Sequence, residues 1–118
     1  MLGYLERVVN QRDLSAVDEL VDPSYTGSGW GWPVDRDALR EFYHWQALTR
    51  PDWRIDVQDV ISVGSSVVVR AHAGGTISAD ETGRPLAAPT SGAVEWLAAY
   101  STRDGLITAI DLLAIRDR

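Results

Sequence analysis

The chain contains neither cysteine nor lysine. The first absence removes disulfides, thiolate nucleophiles and thiolate zinc sites. The second removes Schiff-base chemistry, because no side-chain amine exists. Every basic residue is therefore arginine, and 11 of them face 17 aspartates and glutamates, for a formal net charge of −6. Nucleic-acid binding depends on clustered basic side chains that neutralise phosphates, so it is not expected here. Long apolar runs are missing too: none approaches the roughly 18 residues of a membrane span. The opening segment MLGYLERVVNQRD is charged within its first seven residues and has no apolar signal-peptide core, which points to a soluble, cytoplasmic protein. Histidine is scarce. His44 and His72 stand alone, without a partner one helical turn away, so no metal site is expected. A serine-hydrolase GxSxG elbow is also lacking. Gly27, Gly29 and Gly31 cluster, but without a strand–GxGxxG–helix unit or a Walker lysine they make a poor phosphate loop.

What is present suits one globular domain spanning residues 1–118, since 45% of the chain is hydrophobic. Leu2, Leu5, Val8 and Val9 sit at helical spacing. A second short helix restarts at Asp13 or Ser15, with Ser15 and Asp18 spaced as a capping box and Val17, Leu20 and Val21 as its buried face. Residues 24–34 read as an aromatic, glycine-rich loop. A third helix runs from about Asp35 to Leu48, capped by Asp35, with Val34 and Leu39 placed as a hydrophobic staple. Leu39, Phe42, Tyr43 and Gln46 share one face of it, and His44 falls opposite, so His44 is read as a surface residue.

Trp53, Ile55 and Val57 then alternate with polar residues as a strand whose pattern slips near Asp59, which indicates a bulge. Gly64-Ser65-Ser66 turns the chain into a returning strand that carries Arg70 and His72 on one face. Residues 74–92 read as a long polar connection. A further strand over 93–103 places Val94, Trp96, Ala98 and Tyr100 on one face, with Glu95, Leu97 and Ala99 on the other. Asp104-Gly105 hairpins into Leu106–Ile115, an apolar run interrupted only by Asp111. Strict alternation groups Asp111 with Ile107, Ala109, Leu113 and Ile115. An ionised carboxylate on such a face is costly unless paired, solvated in a pocket or protonated. Helices first and antiparallel strands after them indicate an α+β domain.

The connected string of motifs NQRDLSAVDELVDPSY (10–25), DALREFYHW (37–45), PDWRIDVQDVISVGSSVVVRAHAGGT (51–76) and YSTRDGLI (100–107) resembles the SnoaL-like polyketide cyclases of the nuclear transport factor 2-like superfamily. The resemblance implies a cone-shaped half-barrel, with three N-terminal helices packed on a curved, mostly antiparallel sheet. It implies an apolar pocket, cofactor-free chemistry and homodimers formed through the outer sheet face. Two positions depart from the family's habit: Ile77 where histidine is common and Ser101 where arginine is common.

Combined with that resemblance, the residues suggest a cofactor-independent acid–base enzyme of cyclase or isomerase type acting on a hydrophobic, polyketide- or terpenoid-like molecule. In this reading Asp111 shuttles the proton, with its pKa raised by burial, and His72 or a tyrosine (Tyr25 or Tyr43) stabilises an enolate oxygen. Trp30, Trp32, Phe42, Tyr43, Trp53 and Trp96 are the candidates for stacking on a flat substrate. Two alternatives stand beside it. One is an epoxide hydrolase- or dehydratase-like reaction using Asp111, Arg70 and Glu95. The other is a non-catalytic binding module in which Asp111 is held by Arg70, Arg103 or backbone amides.

Overall fold

The computed structural model describes residues 2–80 and 82–117. Helix α1 (Leu2–Leu5) runs on as a π-helical turn over Glu6–Asn10, followed by α2 (Ser15–Leu20), β1 (Val21–Ser28), α3 (Arg36–Thr49), β2 (Arg54–Val63), β3 (Ser66–Ala79), β4 (Pro85–Arg103) and β5 (Leu106–Asp117). The five strands form one sheet in the order β1-β5-β4-β3-β2. Only β1 pairs parallel, with β5; the other neighbours are antiparallel. The fold is thus the α+β arrangement read from the sequence.

Each helix is set by local chemistry. Asp35 accepts from the Ala38 backbone N–H at 2.8 Å and caps α3. The staple does not form, because Val34 is 65% exposed while Leu39 is fully buried. At α2 the cap is not the Ser15–Asp18 box. Asp13 accepts from the Ser15 backbone and hydroxyl instead, and Asp18 pairs with Arg40. Leu5, Val8, Val9, Ala16 and Val17 are buried beneath the sheet's inner face, and the side chain of Leu2 lies outside the described residues.

The long connection expected over residues 74–92 is mostly strand. Gly75 pairs with Gly92, Thr76 with Ser91 and Ile77 with Thr90, and the reversal occurs in a tight turn between Asp80 and Arg84. Here polar composition misled: small residues were selected because neighbouring backbone comes close. A Cβ on Gly75 would lie within 2.8–3.0 Å of Asp52 Oδ1, Asp52 O and Trp53 Cα. At Asp104-Gly105 both residues have positive φ (54° and 80°), as a two-residue hairpin turn requires.

Register shifts interrupt every strand pairing, and those in β2 and β5 are one-residue bulges. Gln58 is the extra residue in β2, close to where the alternation slips. In β5, Thr108 and Leu113 are extra, because Ser101 and Thr102 face Ala109 and Ile107, and Leu97 and Ala98 face Ala114 and Leu112. Each β5 bulge reverses the inward–outward alternation. The inward set therefore becomes Ile107, Ile110, Leu112 and Ile115, at spacings of three, two and three. This corrects the grouping of Asp111 with Ile107 and Ile115: Asp111 pairs with Ala99 and points outward.

Candidate functional site

Between the helices and the inner sheet face lies an apolar cavity of about 120 Å³. Of its lining, Leu5, Val9, Tyr43, Tyr100 and Ile110 are buried. Gln46, Arg50, Val94 and Trp96 are partly exposed and Ile115 is 43% exposed, so the mouth is assigned to their side. A cavity of roughly 150 Å³ accommodates one benzene ring. The space therefore holds about one ring, and a larger flat ligand must extend past the mouth.

Five of the six residues expected to stack on a substrate line this space: Trp32, Phe42, Tyr43, Trp53 and Trp96. They come from the β1–α3 loop, one face of α3, the start of β2 and β4, so the cavity is a convergence of the helical and strand periodicities. Trp32 and Phe42 meet with ring centroids 5.1 Å apart, and Phe42 and Tyr43 meet edge-on at 5.3 Å. The sixth, Trp30, lies outside, 70% exposed with left-handed backbone between two glycines.

The residues expected to carry the chemistry are not brought together there. Asp111 does not line the cavity; on the outer face its carboxylate accepts a hydrogen bond from Ser28. Neither Arg70 nor Arg103 forms an ion pair with it. His72 is also on the outer face, with Nε2 2.7 Å from Glu95 Oε2. Arg116 reaches Glu95 at 2.9 Å, and Arg70 binds Asp59 at 2.5 Å. The hydrogen bond with His72, aided by the charge of Arg116, holds the Glu95 carboxyl below its usual range. The Arg70, Glu95 and Asp111 set of the hydrolase reading thus shares the face that the helices leave uncovered. His44 is exposed, as its helical phase indicates.

Tyr25 stands behind the cavity wall. Its hydroxyl accepts from Trp32 Nε1 at 2.9 Å and donates to Pro33 O at 3.2 Å, so its proton is committed and its effect is to orient Trp32. Burial pushes its pKa up to about 12.

Tyrosine hydroxyls, the Gln46 carboxamide and the Arg50 guanidinium are the main polar groups of the lining residues. All four tyrosines of the chain are buried. Tyr4 donates to Tyr43 at 3.1 Å, which leaves the Tyr43 proton for another acceptor. Tyr100 makes no side-chain hydrogen bond to the protein. Burial raises the pKa of both Tyr43 and Tyr100, so both remain neutral donors. Tyr100 was legible as a face-mate of Trp96 and Ala98, but nothing in the sequence distinguished it from core. Arg50 was missed altogether. It follows α3 in an Arg-Pro-Asp break that reads as a simple helix stop. Among the described residues no carboxylate or histidine lines the cavity, and no group of three or more histidines and acids is placed to hold a metal. No helix among them is long and apolar enough to cross a membrane.

The same architecture occurs in solved structures. The chain superposes on AclR, a candidate hydroxylase from Streptomyces galilaeus, with a TM-score of 0.79 at 17% identity, covering 99% of this chain and 76% of that one. A candidate polyketide cyclase from Acidithiobacillus ferrooxidans gives 0.76 at 18% identity over 97% and 83%. IdmH, a candidate polyketide cyclase from Streptomyces antibioticus, gives 0.72 at 24% identity over 98% and 88%. No curated protein matches the sequence. At these identities the likeness establishes the nuclear transport factor 2-like fold. The SnoaL-like domain model itself matches residues 2–110, nearly the whole chain, and the protein therefore belongs to the SnoaL-like family.

Proposed function

We propose that the protein binds a hydrophobic, carbonyl-bearing small molecule of polyketide or terpenoid character and promotes its cyclisation or isomerisation without a cofactor. The observation that carries this reading is an aromatic-lined apolar cavity whose lining includes two buried tyrosines, Tyr43 and Tyr100. Tyrosine hydroxyls stabilise negative charge that develops on a carbonyl oxygen, and they act most strongly where water is excluded. Confinement adds to this, because a flexible chain held with its reacting carbons close together loses most of the entropic barrier to ring closure. No carboxylate faces the cavity among the described residues, so the proton leaving carbon passes to water at the mouth rather than to Asp111.

The same missing carboxylate favours one second reading, a module that binds its ligand without turning it over. Tyr100→Phe separates the two. Tyr100 has no hydrogen bond to lose, so the fold should be unaffected. Loss of one oxyanion donor costs on the order of 10²–10³ in kcat. Catalysis predicts that loss with ligand affinity nearly unchanged. The cyclase reading fails if candidate polyketide substrates bind the native protein but are not converted.

A further inference from the structure

Among the described residues, the cation at the cavity mouth has no counter-ion. Arg50 forms no ion pair with any described acid, and its Nε is shielded from solvent without a hydrogen-bond partner. In a chain with a net charge of −6, a half-buried arginine left without a carboxylate calls for an explanation. Its guanidinium carbon lies 5.0 Å from the Trp45 ring centroid and 4.8 Å from that of Trp53. Both are cation–π contacts, and no described residue accepts a hydrogen bond from the guanidinium N–H groups.

The mount is rigid. The Arg50 backbone N–H bonds Gln46 O and its carbonyl accepts from Trp53 N–H, while Thr49 O accepts from the Ser78 hydroxyl. The next acid along, Asp52, is tied to the Thr76 N–H and hydroxyl. Asp80 lines a second cleft together with Arg50, and its Oδ1 is occupied by the Thr82 and Arg84 amides and the Thr82 hydroxyl. One helical turn before Arg50, Gln46 faces the same cavity, and its carboxamide makes no hydrogen bond to the protein.

We infer that Arg50 and Gln46 form a subsite for a carboxylate carried by the ligand, placed just beyond a cavity that accepts its apolar ring. The fork of donors on arginine matches the two oxygens of a carboxylate, and charge-assisted hydrogen bonds of this kind are about twice as strong as neutral ones. The inference rests on the proposed cavity and adds the chemical class of its ligand, an apolar molecule that carries one carboxylate in addition to its reacting carbonyl.

Calorimetric titration of the native protein with three one-ring probes tests it: toluene, benzamide and benzoate. Toluene reports on the cavity alone, and benzamide and benzoate have nearly the same shape. Benzoate is expected to bind about tenfold more tightly than benzamide. In Arg50→Gln that preference should collapse to within about twofold while toluene still binds, and Arg50→Lys should keep part of it, since an ammonium supplies charge without the fork. Equal binding of benzoate and benzamide by the native protein, with toluene bound, overturns the subsite and leaves the cavity reading standing. A benzoate preference that survives in Arg50→Gln overturns it too. Failure of toluene to bind removes both.

Discussion

The two faces of one sheet differ more than its composition suggests. On the inner face, Ala73, Trp96, Ala98, Tyr100, Ile110 and Leu112 present methyls, rings and neutral hydroxyls. On the outer face, often one residue away along the same strands, Asp59, Arg70, His72, Glu95, Arg116 and Asp111 form ion pairs and hydrogen bonds. The ionisable groups that draw attention in the sequence lie where the helices leave the sheet uncovered. The groups that line the cavity are mostly ones that pass for core. Chemical richness and access to a pocket are separate properties, and only side-chain direction connects them.

Adjacent residues on β5 break this contrast most severely. Ile110→Ala removes a side chain that is 1% exposed, so a destabilisation of about 2–5 kcal/mol is expected. Asp111→Ala loses chiefly the hydrogen bond from Ser28, worth about 1 kcal/mol. Denaturant unfolding of the two variants should rank them in that order by a clear margin. A reversed ranking would mean that Asp111, not Ile110, faces inward.

Alkaline titration sharpens the inner side. Burial raises the pKa of all four tyrosines, that of Tyr25 from its ordinary value of 10.0 to about 12. A raised pKa contributes stability that is fully present below the ordinary value and is lost as pH rises through the folded-state one. The four phenols should therefore resist ionisation above pH 10 and then titrate together as the protein unfolds, which ultraviolet difference absorbance would follow. One tyrosine ionising independently near its ordinary value would show that it is not buried.

The outer side predicts the smallest effect, and of opposite sign in pH. Glu95 has a depressed pKa, so its contribution is present above the ordinary glutamate range and disappears as pH falls below it. Glu95→Gln should be slightly less stable than the native chain at neutral pH, and the two should converge in acid. Thermal unfolding across that range checks this. A gap that persists in acid would assign the loss to packing rather than to charge.

Much of the fold was legible because its signals are local and periodic. The Asp35 cap, the face of α3 that carries Phe42 and Tyr43, the outward phase of His44 and the Asp104-Gly105 turn all follow from spacing and turn chemistry. The aromatic half of the site was legible for the same reason. Asp111 was not, because two extra residues, Thr108 and Leu113, each reverse the alternation of β5. A bulge leaves little trace in an apolar run where either parity looks buried. Residues 74–92 were hidden differently, since their small side chains answer to the approach of Asp52 and Trp53 rather than to a loop. Arg50 depends on rings at positions 45 and 53 that only the fold brings around it.

Methyl chemical-shift mapping with toluene tests the division between the faces most directly. Titration is expected to shift the methyls of Ala73, Ala98, Ile110 and Leu112, which line the cavity, and to leave outward-facing Val68, Ala99 and Ala114 unmoved. Shifts confined to Val68, Ala99 and Ala114, or no shift at any of these methyls, would contradict it.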